Sequence, residues 1–171
     1  MHEPGNLIDF SDADSAKWYA VNDGVMGGVS RSDIQRTAHG TGVFAGKLSL
    51  ENNGGFASVR VALDRHDLSN YAGLEIRVRG DGRTYQLRLR TNDDFDGIAY
   101  RAEFETLDGE WNATRIPFNQ FLPTFRGRTL KDVPPLDTSQ IHWLAFMLAD
   151  KKSGPFLLEI DFVKTWESTH D

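Results

Sequence analysis

Cysteine is absent from this 171-residue sequence, which excludes a disulfide framework, thiolate chemistry and a cysteine-based zinc site. Basic residues are in the minority, since 19 Lys and Arg against 25 Asp and Glu give a formal net charge of −6. A nucleic-acid-binding surface needs a clustered basic excess, so no nucleic acid partner is expected. Long apolar runs are also missing, and none approaches the roughly 20 residues of a membrane-spanning helix.

The first residues show no targeting signal. Residues 1–5 (MHEPG) are neither the basic start of a signal peptide nor an arginine-rich transit peptide. We therefore expect a bacterial or a mature protein that is located in the cytoplasm. Its 39% hydrophobic and 26% charged residues are typical of globular proteins, and its length fits a single domain over residues 1–171.

Short alternating segments separated by Gly, Asn and Asp predict an all-β protein, a sandwich of two antiparallel sheets. Residues 74–79, 84–90 and 100–105 alternate apolar and polar positions, which indicates one buried and one solvated face per strand. Residues 141–148 are apolar nearly throughout, which indicates a central strand covered on both faces. Residues 118–136 are expected to form a long surface loop. The side chains expected to face the core are Leu74, Ile76, Val78, Tyr85, Leu87, Leu89, Ile141, Trp143, Phe156, Leu158 and Ile160.

Residues 18–30 (WYAVNDGVMGGVS) form the most unusual stretch. Asn-Asp-Gly is turn chemistry, and closely spaced glycines permit left-handed backbone and close chain approach. We expect a tightly folded structural loop built on Trp18, Gly24, Gly27 and Gly28. Asp23, Val25 and Met26 are candidate partner contacts, because exposed apolar residues rimmed by polar ones mark interaction surfaces. The alternative is that Met26 plugs the end of the sandwich.

Arginines provide the second candidate binding surface. Arg77, Arg79, Arg88 and Arg90 share parity on two strands that are expected to be neighbours, and Arg101 and Glu103 follow on the next strand. Guanidinium groups bind carboxylates and phosphates through two parallel hydrogen bonds, so this face could hold a sugar or an acidic partner. The alternative is a ladder of Arg–Glu pairs on a solvated face.

Little in the sequence indicates a catalytic site or a metal site. His39, His66 and His142 are scattered, with no metal-binding spacing. Glu103 and Glu105 could approach each other like the carboxyl pair of a glycosidase, but glutamates two apart are common on strands without chemistry. We therefore predict no catalytic residues, no cofactor and no enzyme activity.

Carboxylates near the two chain ends could approach a calcium ion, which prefers six to eight oxygen ligands. Their spacing matches no fixed calcium loop, so solvated carboxylates are favoured and no metal site is predicted. The residues concerned are Asp9, Asp12, Asp14, Glu159 and Asp161.

Five groups of residues, in order along the chain, resemble one known family. They are residues 22–30 (NDGVMGGVS), 53–60 (NGGFASVR), 79–85 (RGDGRTY), Trp111 with 116–118 (IPF), and 148–151 (LADK) with 154–156 (GPF). Together they are similar to the complex I intermediate-associated protein 30 family, from about residue 18 to residue 159. The resemblance implies a galactose-binding-domain-like jelly-roll sandwich and a role in assembling respiratory complex I (NADH:ubiquinone oxidoreductase).

Two functions follow as expectations. The resemblance favours a non-catalytic assembly factor that holds a protein partner, such as a respiratory-complex subunit. The alternative is a carbohydrate-binding module that recognises a glycan on a concave sheet face. The missing export signal and the scarcity of tryptophans with clear outward parity count against the glycan.

Overall fold

The computed structural model describes residues 6–8, 10, 18–22, 30–51, 55–63, 67–92, 97–125 and 128–167. Thirteen strands within these ranges form two sheets, and the same ranges contain no α-helix. The strands are β1 Asn6–Ile8, β2 Trp18–Ala20, β3 Arg31–Arg36, β4 Gly42–Leu48, β5 Ala57–Ala62, β6 Gly73–Arg79, β7 Thr84–Arg90, β8 Ala99–Glu105, β9 Trp111–Pro117, β10 Leu122–Phe125, β11 Arg128–Thr129, β12 Trp143–Leu148 and β13 Gly154–Trp166.

The first sheet has six strands built around β13, which is 13 residues long. Its order is β3-β4-β13-β6-β9, and β1 pairs with the C-terminal half of β13. The second sheet has seven strands in the order β11-β10-β8-β7-β12-β5-β2. Every strand pair is antiparallel. The prediction of an all-β, two-sheet antiparallel sandwich is therefore confirmed.

The core lies between the two sheets. Alternating residues of each strand are buried there, as in β7, where Tyr85, Leu87 and Leu89 are inaccessible while the residues between them are partly exposed. Aromatic rings join the sheets, since Phe44 of β4 contacts Tyr85 of β7 edge-on at 6.3 Å between ring centroids. Burial of such large side chains supplies most of the stabilisation of a sandwich.

Ten of the eleven residues predicted to face the core are buried. Trp143 is the exception, because β12 buries Leu144, Phe146 and Leu148 and turns Trp143, Ala145 and Met147 outward. The segment is apolar on both parities, so its composition could not decide which set faces inward. β12 is an interior strand of its sheet, as expected, but it is not covered on both faces, because its outward residues are partly exposed.

Two further expectations were wrong. Residues 118–136 are not one loop, since they contain a 3₁₀ turn at Phe118–Gln120 and the strands β10 and β11. β6 and β7 are not neighbours, because β6 belongs to the six-stranded sheet and β7 to the seven-stranded sheet. The short connection between them crosses from one sheet to the other and is held by Asp81, which accepts hydrogen bonds from the Tyr85 hydroxyl and the Leu157 N–H.

In the part of the chain that the structure describes, no helix is long and apolar enough to cross a membrane.

Candidate functional site

Four arginines lie on the outward side of the seven-stranded sheet. Arg60 is on β5, Arg88 and Arg90 are on β7, and Arg101 is on β8. We call this surface the arginine face. Strand pairing aligns its members, because Arg60 lies opposite Ala145, Ala145 opposite Arg88, and Arg88 opposite Arg101. The same row continues to Tyr19 of β2 at one end and Leu122 of β10 at the other.

A small pocket opens at the middle of the arginine face. Its lining includes Ser58, Arg60, Arg88, Arg90, Trp143, Ala145 and Met147. We call it the Ala145 pocket, because the methyl side chain of Ala145 leaves space between the longer side chains on the neighbouring strands. Arg60 and Arg88 approach from its two sides, since each is the direct cross-strand neighbour of Ala145. The pocket therefore presents guanidinium groups around a small, open floor.

Arg88 has few partners for its charge. Its Nη1 donates to Gln86 Oε1 at 3.0 Å and to the Met147 sulfur at 3.1 Å. No ion pair joins Arg88 to a carboxylate among the described residues. A buried charge is costly unless a countercharge or full hydrogen bonding compensates it.

Burial and mutual repulsion lower the pKa values of two of these arginines. Burial, together with the charges of Arg90, Arg101 and Arg60, lowers the pKa of Arg88 to about 10. Burial and the charge of Arg90 lower the pKa of Arg60 to about 10. Both groups remain cationic at neutral pH, so the arginine face is a strongly positive surface on a protein of net charge −6.

Arg101 and Arg90 are better compensated. Arg101 donates to Glu103 Oε1 at 3.1 Å and to Thr129 Oγ1 at 2.8 Å, while its buried Nε has no hydrogen-bond partner within the described residues. Arg90 donates to the Gly97 carbonyl at 2.7 Å. Arg101 and Glu103 lie on the same strand, so this pair is not the cross-strand Arg–Glu ladder that was the alternative prediction. Among the described residues, no carboxylate pairs with Arg88.

Arg77 and Arg79 lie on the other sheet, which corrects the prediction of one four-arginine array. Arg77 pairs with Asp161 at 2.7 Å and Arg79 with Glu159 at 2.5 Å. Both guanidinium groups also lie over the Trp111 ring, at 4.4 and 5.2 Å from its centroid. We call this surface the tryptophan face. Its charges are neutralised by their neighbours, which is typical of a structural network.

Glu159 and Asp161, two of the candidate calcium ligands, are engaged by these arginines. Glu159 also accepts a hydrogen bond from the Thr41 hydroxyl at 2.7 Å. Burial alone would raise the pKa of Glu159, but the hydrogen bonds from Thr41 and Arg79 and the Arg79 charge outweigh it and hold the pKa below its usual value. Among the described residues, no group of three or more His, Asp or Glu side chains could hold a metal ion. Asp9, Asp12 and Asp14 lie outside the described residues.

The remaining candidates of the opening loop also lie outside the described residues: Asp23, Gly24, Val25, Met26, Gly27 and Gly28. The chain on either side of them is described. Asn22 Oδ1 accepts hydrogen bonds from Ser32 Oγ at 2.5 Å and from the Ser58 N–H at 3.2 Å, which ties β3 of one sheet to β5 of the other. Trp18 stacks on Phe10 at 5.6 Å and lies 6.4 Å from Phe146. The loop thus leaves and re-enters the sandwich beside the strand that carries Arg60.

Sequence patterns did not single out Arg60, Ala145, Trp143 or Met147 as site residues. A signal existed for Arg60, because Ser58 and Arg60 are the polar positions of an otherwise apolar β5, and period two places them on one face. Nothing comparable existed for Ala145, whose importance comes from the two arginines that strand pairing places beside it.

Solved structures with the same fold include carbohydrate-binding modules. The chain is similar to the family 11 carbohydrate-binding module from Clostridium thermocellum in complex with a β-1,3-1,4-mixed-linked tetrasaccharide, with a TM-score of 0.71 and 19% identity. The match covers 98% of this chain and 97% of that one. A family 30 carbohydrate-binding module matches with a TM-score of 0.56, 18% identity and coverage of 96% and 91%. At these identities the likeness establishes the fold, including its jelly-roll character.

Sequence relatives are proteins named complex I intermediate-associated protein 30, mitochondrial. The Drosophila melanogaster protein is 30% identical over 180 residues, covering 92% of this chain and 61% of its own length. The Mus musculus protein is 31% identical over 170 residues, covering 88% of this chain and 52% of its own length. The chain thus spans about half to three-fifths of the length of these relatives.

These relatives overturn two expectations. They are eukaryotic proteins named as mitochondrial, with further examples from nematodes. The interpretation of the chain as bacterial and cytoplasmic was therefore wrong. It depended on the absence of a transit peptide in residues 1–5, and the first residues of a sequence do not determine the compartment of a mature domain.

The family profile described as complex I intermediate-associated protein 30 matches residues 8–160, which is most of the chain and includes all four arginines of the arginine face. With this match and the two relatives at 30% identity or above, the chain belongs to the complex I intermediate-associated protein 30 family.

Proposed function

We propose that this chain acts in mitochondria as a non-catalytic assembly factor for respiratory complex I, and that it holds a protein partner from that complex against the arginine face. Family membership supports the complex I part of this proposal, because the relatives carry that role in their names. The arginine face supports the part that concerns holding a partner.

The observation that carries the proposal is the alignment of Arg60, Arg88 and Arg101 in one row of the seven-stranded sheet. Arg88 and Arg101 are directly opposite each other in this row, and like charges in that position destabilise a sheet. Arg101 pairs with Glu103, whereas no described carboxylate pairs with Arg88, so an anion near Arg88 would relieve the repulsion. An acidic partner would supply it. The two ends of the row carry exposed apolar side chains, since Tyr19 is 47% and Leu122 is 50% exposed.

That composition is typical of a protein-binding surface. Interfaces are enriched in Arg, Tyr, Trp and Met, and all four types occur on the arginine face or at its ends. The tryptophan face is less suitable, because its arginines already contact Asp161, Glu159 and Trp111. Asp23, Val25 and Met26 remain proposed as additional contacts, because Asn22 anchors the start of their loop to Ser58, beside Arg60 on β5.

The alternative function is glycan recognition on the same face. Tyr19 and Trp143 lie together there, and aromatic rings beside arginines could contact a sugar. Their rings are tilted by 57° at 6.3 Å, so they do not form one flat platform, and guanidinium groups dominate the pocket between the strands. A neutral glycan would supply no countercharge for Arg88, which pairs with no carboxylate among the described residues, and this favours an acidic protein.

A chimera tests the proposed function. Residues 8–160 would replace the matching region of the mouse relative in a mouse cell line that lacks its own copy, and native gel electrophoresis would measure assembled complex I. We expect the chimera to restore assembly, and a chimera carrying Arg88→Gln to restore less. The matched control is Arg115→Gln, which removes an arginine from the other sheet, where it is 60% exposed beside Glu75. If a stably expressed wild-type chimera does not restore complex I assembly, the proposal is contradicted. If the chain instead binds neutral glycans on an array, the alternative function is favoured.

A further inference from the structure

An arginine and a thioether are in direct contact on the arginine face. Met147 of β12 lies opposite Gln86 of β7, two residues from Arg88 on the same strand. Arg88 Nη1 donates to Gln86 Oε1 at 3.0 Å and to Met147 Sδ at 3.1 Å. A thioether sulfur is only a weak hydrogen-bond acceptor. Because no carboxylate among the described residues pairs with Arg88, this cation depends on one amide oxygen and one poor acceptor.

Oxidation of the sulfur would replace this weak acceptor by a strong one. Methionine sulfoxide is a polar group, and its oxygen carries partial negative charge that suits a guanidinium donor. Hydrogen bonds to charged groups contribute more than those between neutral groups. Burial and the charges of the neighbouring arginines disfavour the charged form of Arg88 and lower its pKa to about 10. A better acceptor beside Arg88 would therefore relieve an existing cost.

Met147 lies where a small oxidant can approach it and where its product can be accommodated. The residue faces outward from β12, is partly exposed and lines the Ala145 pocket. The pocket has room for about one water molecule, and a sulfoxide adds a single oxygen atom. The methionine side chain is unbranched and flexible, so the new oxygen can turn towards Arg88 Nη1. The other methionines, Met1 and Met26, lie outside the described residues.

We propose that Met147 is an oxidation site of this protein, and that the oxygen of its sulfoxide accepts a hydrogen bond from the guanidinium group of Arg88. The oxidant is hydrogen peroxide, which transfers one oxygen atom to Met147 Sδ. In this step the O–O bond breaks and an S–O bond forms, the sulfur loses two electrons, and the peroxide is reduced to water. Methionine sulfoxide reductases reverse such a modification, so the contact with Arg88 can be switched in both directions.

The modification acts on a residue that the proposed function also uses. Oxidation of Met147 gives Arg88 a stronger acceptor within its own chain, and an acidic partner would have to compete with that acceptor. This consequence rests on the proposed function, whereas the oxidation site and its contact with Arg88 do not. Failure of the chimera would therefore leave the oxidation site standing, and failure of the oxidation site would not alter the result of the chimera.

Peroxide treatment followed by thermal melting tests this inference. The full chain would be treated with hydrogen peroxide, peptide mapping by mass spectrometry would quantify the sulfoxide at Met147, and the melting temperature would be measured before and after treatment. Met147→Leu, treated in parallel, reports the contribution of Met1 and Met26, and its subtraction leaves the effect of oxidation at Met147. The same pair of measurements would be made with Arg88→Leu. We expect the effect of Met147 oxidation on the melting temperature to be more favourable with Arg88 present, by about 2 °C or more.

The matched control is Arg115→Leu, which removes an arginine that is 60% exposed beside Glu75 on the other sheet. In that variant the effect of Met147 oxidation should equal the effect in the wild type. A second measurement needs no substitution at Arg88: in the ¹⁵N-labelled wild type, oxidation should shift the guanidinium NMR signals of Arg88 by more than those of Arg115.

Three results would each overturn the inference. The first is that Met147 of the folded chain stays unoxidised under peroxide conditions that oxidise it in the urea-unfolded chain. The second is that oxidation of Met147 changes the melting temperature equally in the wild type and in Arg88→Leu. The third is that the Arg88 guanidinium signals of the wild type do not move on oxidation.

Discussion

Arg88 and Arg101 lie directly opposite each other on the adjacent antiparallel strands β7 and β8, on the outward side of the sheet. Arg101 has a carboxylate neighbour in Glu103, whereas Arg88 donates to an amide oxygen and a thioether sulfur. This arrangement weakens the isolated protein, because like charges in directly opposite positions repel each other. Functional sites often retain such a cost, since the same charges provide binding.

Because this repulsion destabilises the protein, removal of the Arg88 charge should increase stability. Arg88→Met keeps most of the apolar stem and deletes the guanidinium group, and we expect it to raise the free energy of unfolding by on the order of 1 kcal/mol at neutral pH. Chemical denaturation of wild type and variant would measure the difference. A large loss of stability would show instead that Arg88 is a structural residue.

The difference in stability between wild type and Arg88→Met should depend on pH. The pKa of Arg88 is lowered from its ordinary value to about 10 in the folded state, so folding disfavours its charged form. The resulting penalty is fully present below pH 10 and is relieved as pH rises above about 10 towards the ordinary pKa of arginine. The stability advantage of Arg88→Met should therefore shrink above pH 10. A constant advantage would contradict burial and charge repulsion as the cause of the penalty.

A buried ion pair should respond very differently from an exposed one. Arg83 and Asp150 are joined at 2.9 Å with side chains only 12% and 8% exposed, whereas Arg115 in the Arg115–Glu75 pair is 60% exposed. Asp150→Asn leaves a buried cation uncompensated and should cost about 3–5 kcal/mol of unfolding free energy. Glu75→Gln should cost about 0–1 kcal/mol. Urea denaturation of both variants checks the contrast, and equal effects would contradict it.

Glu159 should make the protein sensitive to acid. Its pKa is held below the ordinary 4.5 in the folded state, so the stabilisation is present above pH 4.5 and is lost as pH falls below it. Thr41→Val removes one of the hydrogen bonds that lower this pKa. The midpoint of acid unfolding, followed by circular dichroism, should then move to higher pH. An unchanged midpoint would show that Thr41 does not contribute to the shift.

Gly73 marks a place where the backbone of two strands is very close. A Cβ at this position would lie 2.2 Å from the Ile116 carbonyl oxygen on the paired strand β9, and backbone cannot move aside as a side chain can. Gly73→Ala should therefore lower the unfolding free energy by about 1–3 kcal/mol. Thermal denaturation checks this, with Gly73→Ser expected to be at least as destabilising. A neutral effect of both variants would contradict the close approach.

Most of the fold could be predicted from the sequence, because period-two alternation is a local property. It gave the bounds of β7 and the inward side chains of β6, β7 and β13. It could not show whether Trp143 faces inward, because both alternating sets of residues in that strand are apolar. It also could not distinguish a hairpin from a crossing between sheets, since both connections join two alternating strands through a glycine-containing turn.

The site was predicted only in part, because alternation along one strand does not show which strands are neighbours. Parity predicts Arg88, Arg90 and Arg101 correctly, but it also groups Arg77 and Arg79 with them, because two alternating strands joined by a short turn are expected to be neighbours. Arg60 is 28 residues from Arg88 in the numbering, and only the pairing of β5 and β7 with β12 brings them to the same pocket. That arrangement is a long-range property of the topology.

Capture of complex I subunits from mitochondria tests whether the arginine face holds a partner from that complex. Tagged wild-type chain, Ala145→Leu and Ala113→Leu would be expressed at equal levels, and mass spectrometry would quantify the complex I subunits recovered with each. We expect wild type and Ala113→Leu, the same change on β9 of the other sheet, to recover the same subunits in similar amounts, and Ala145→Leu, which fills the Ala145 pocket without changing any charge, to recover several-fold less. Recovery by Ala145→Leu equal to that of the wild type would contradict the claim that the arginine face holds the partner.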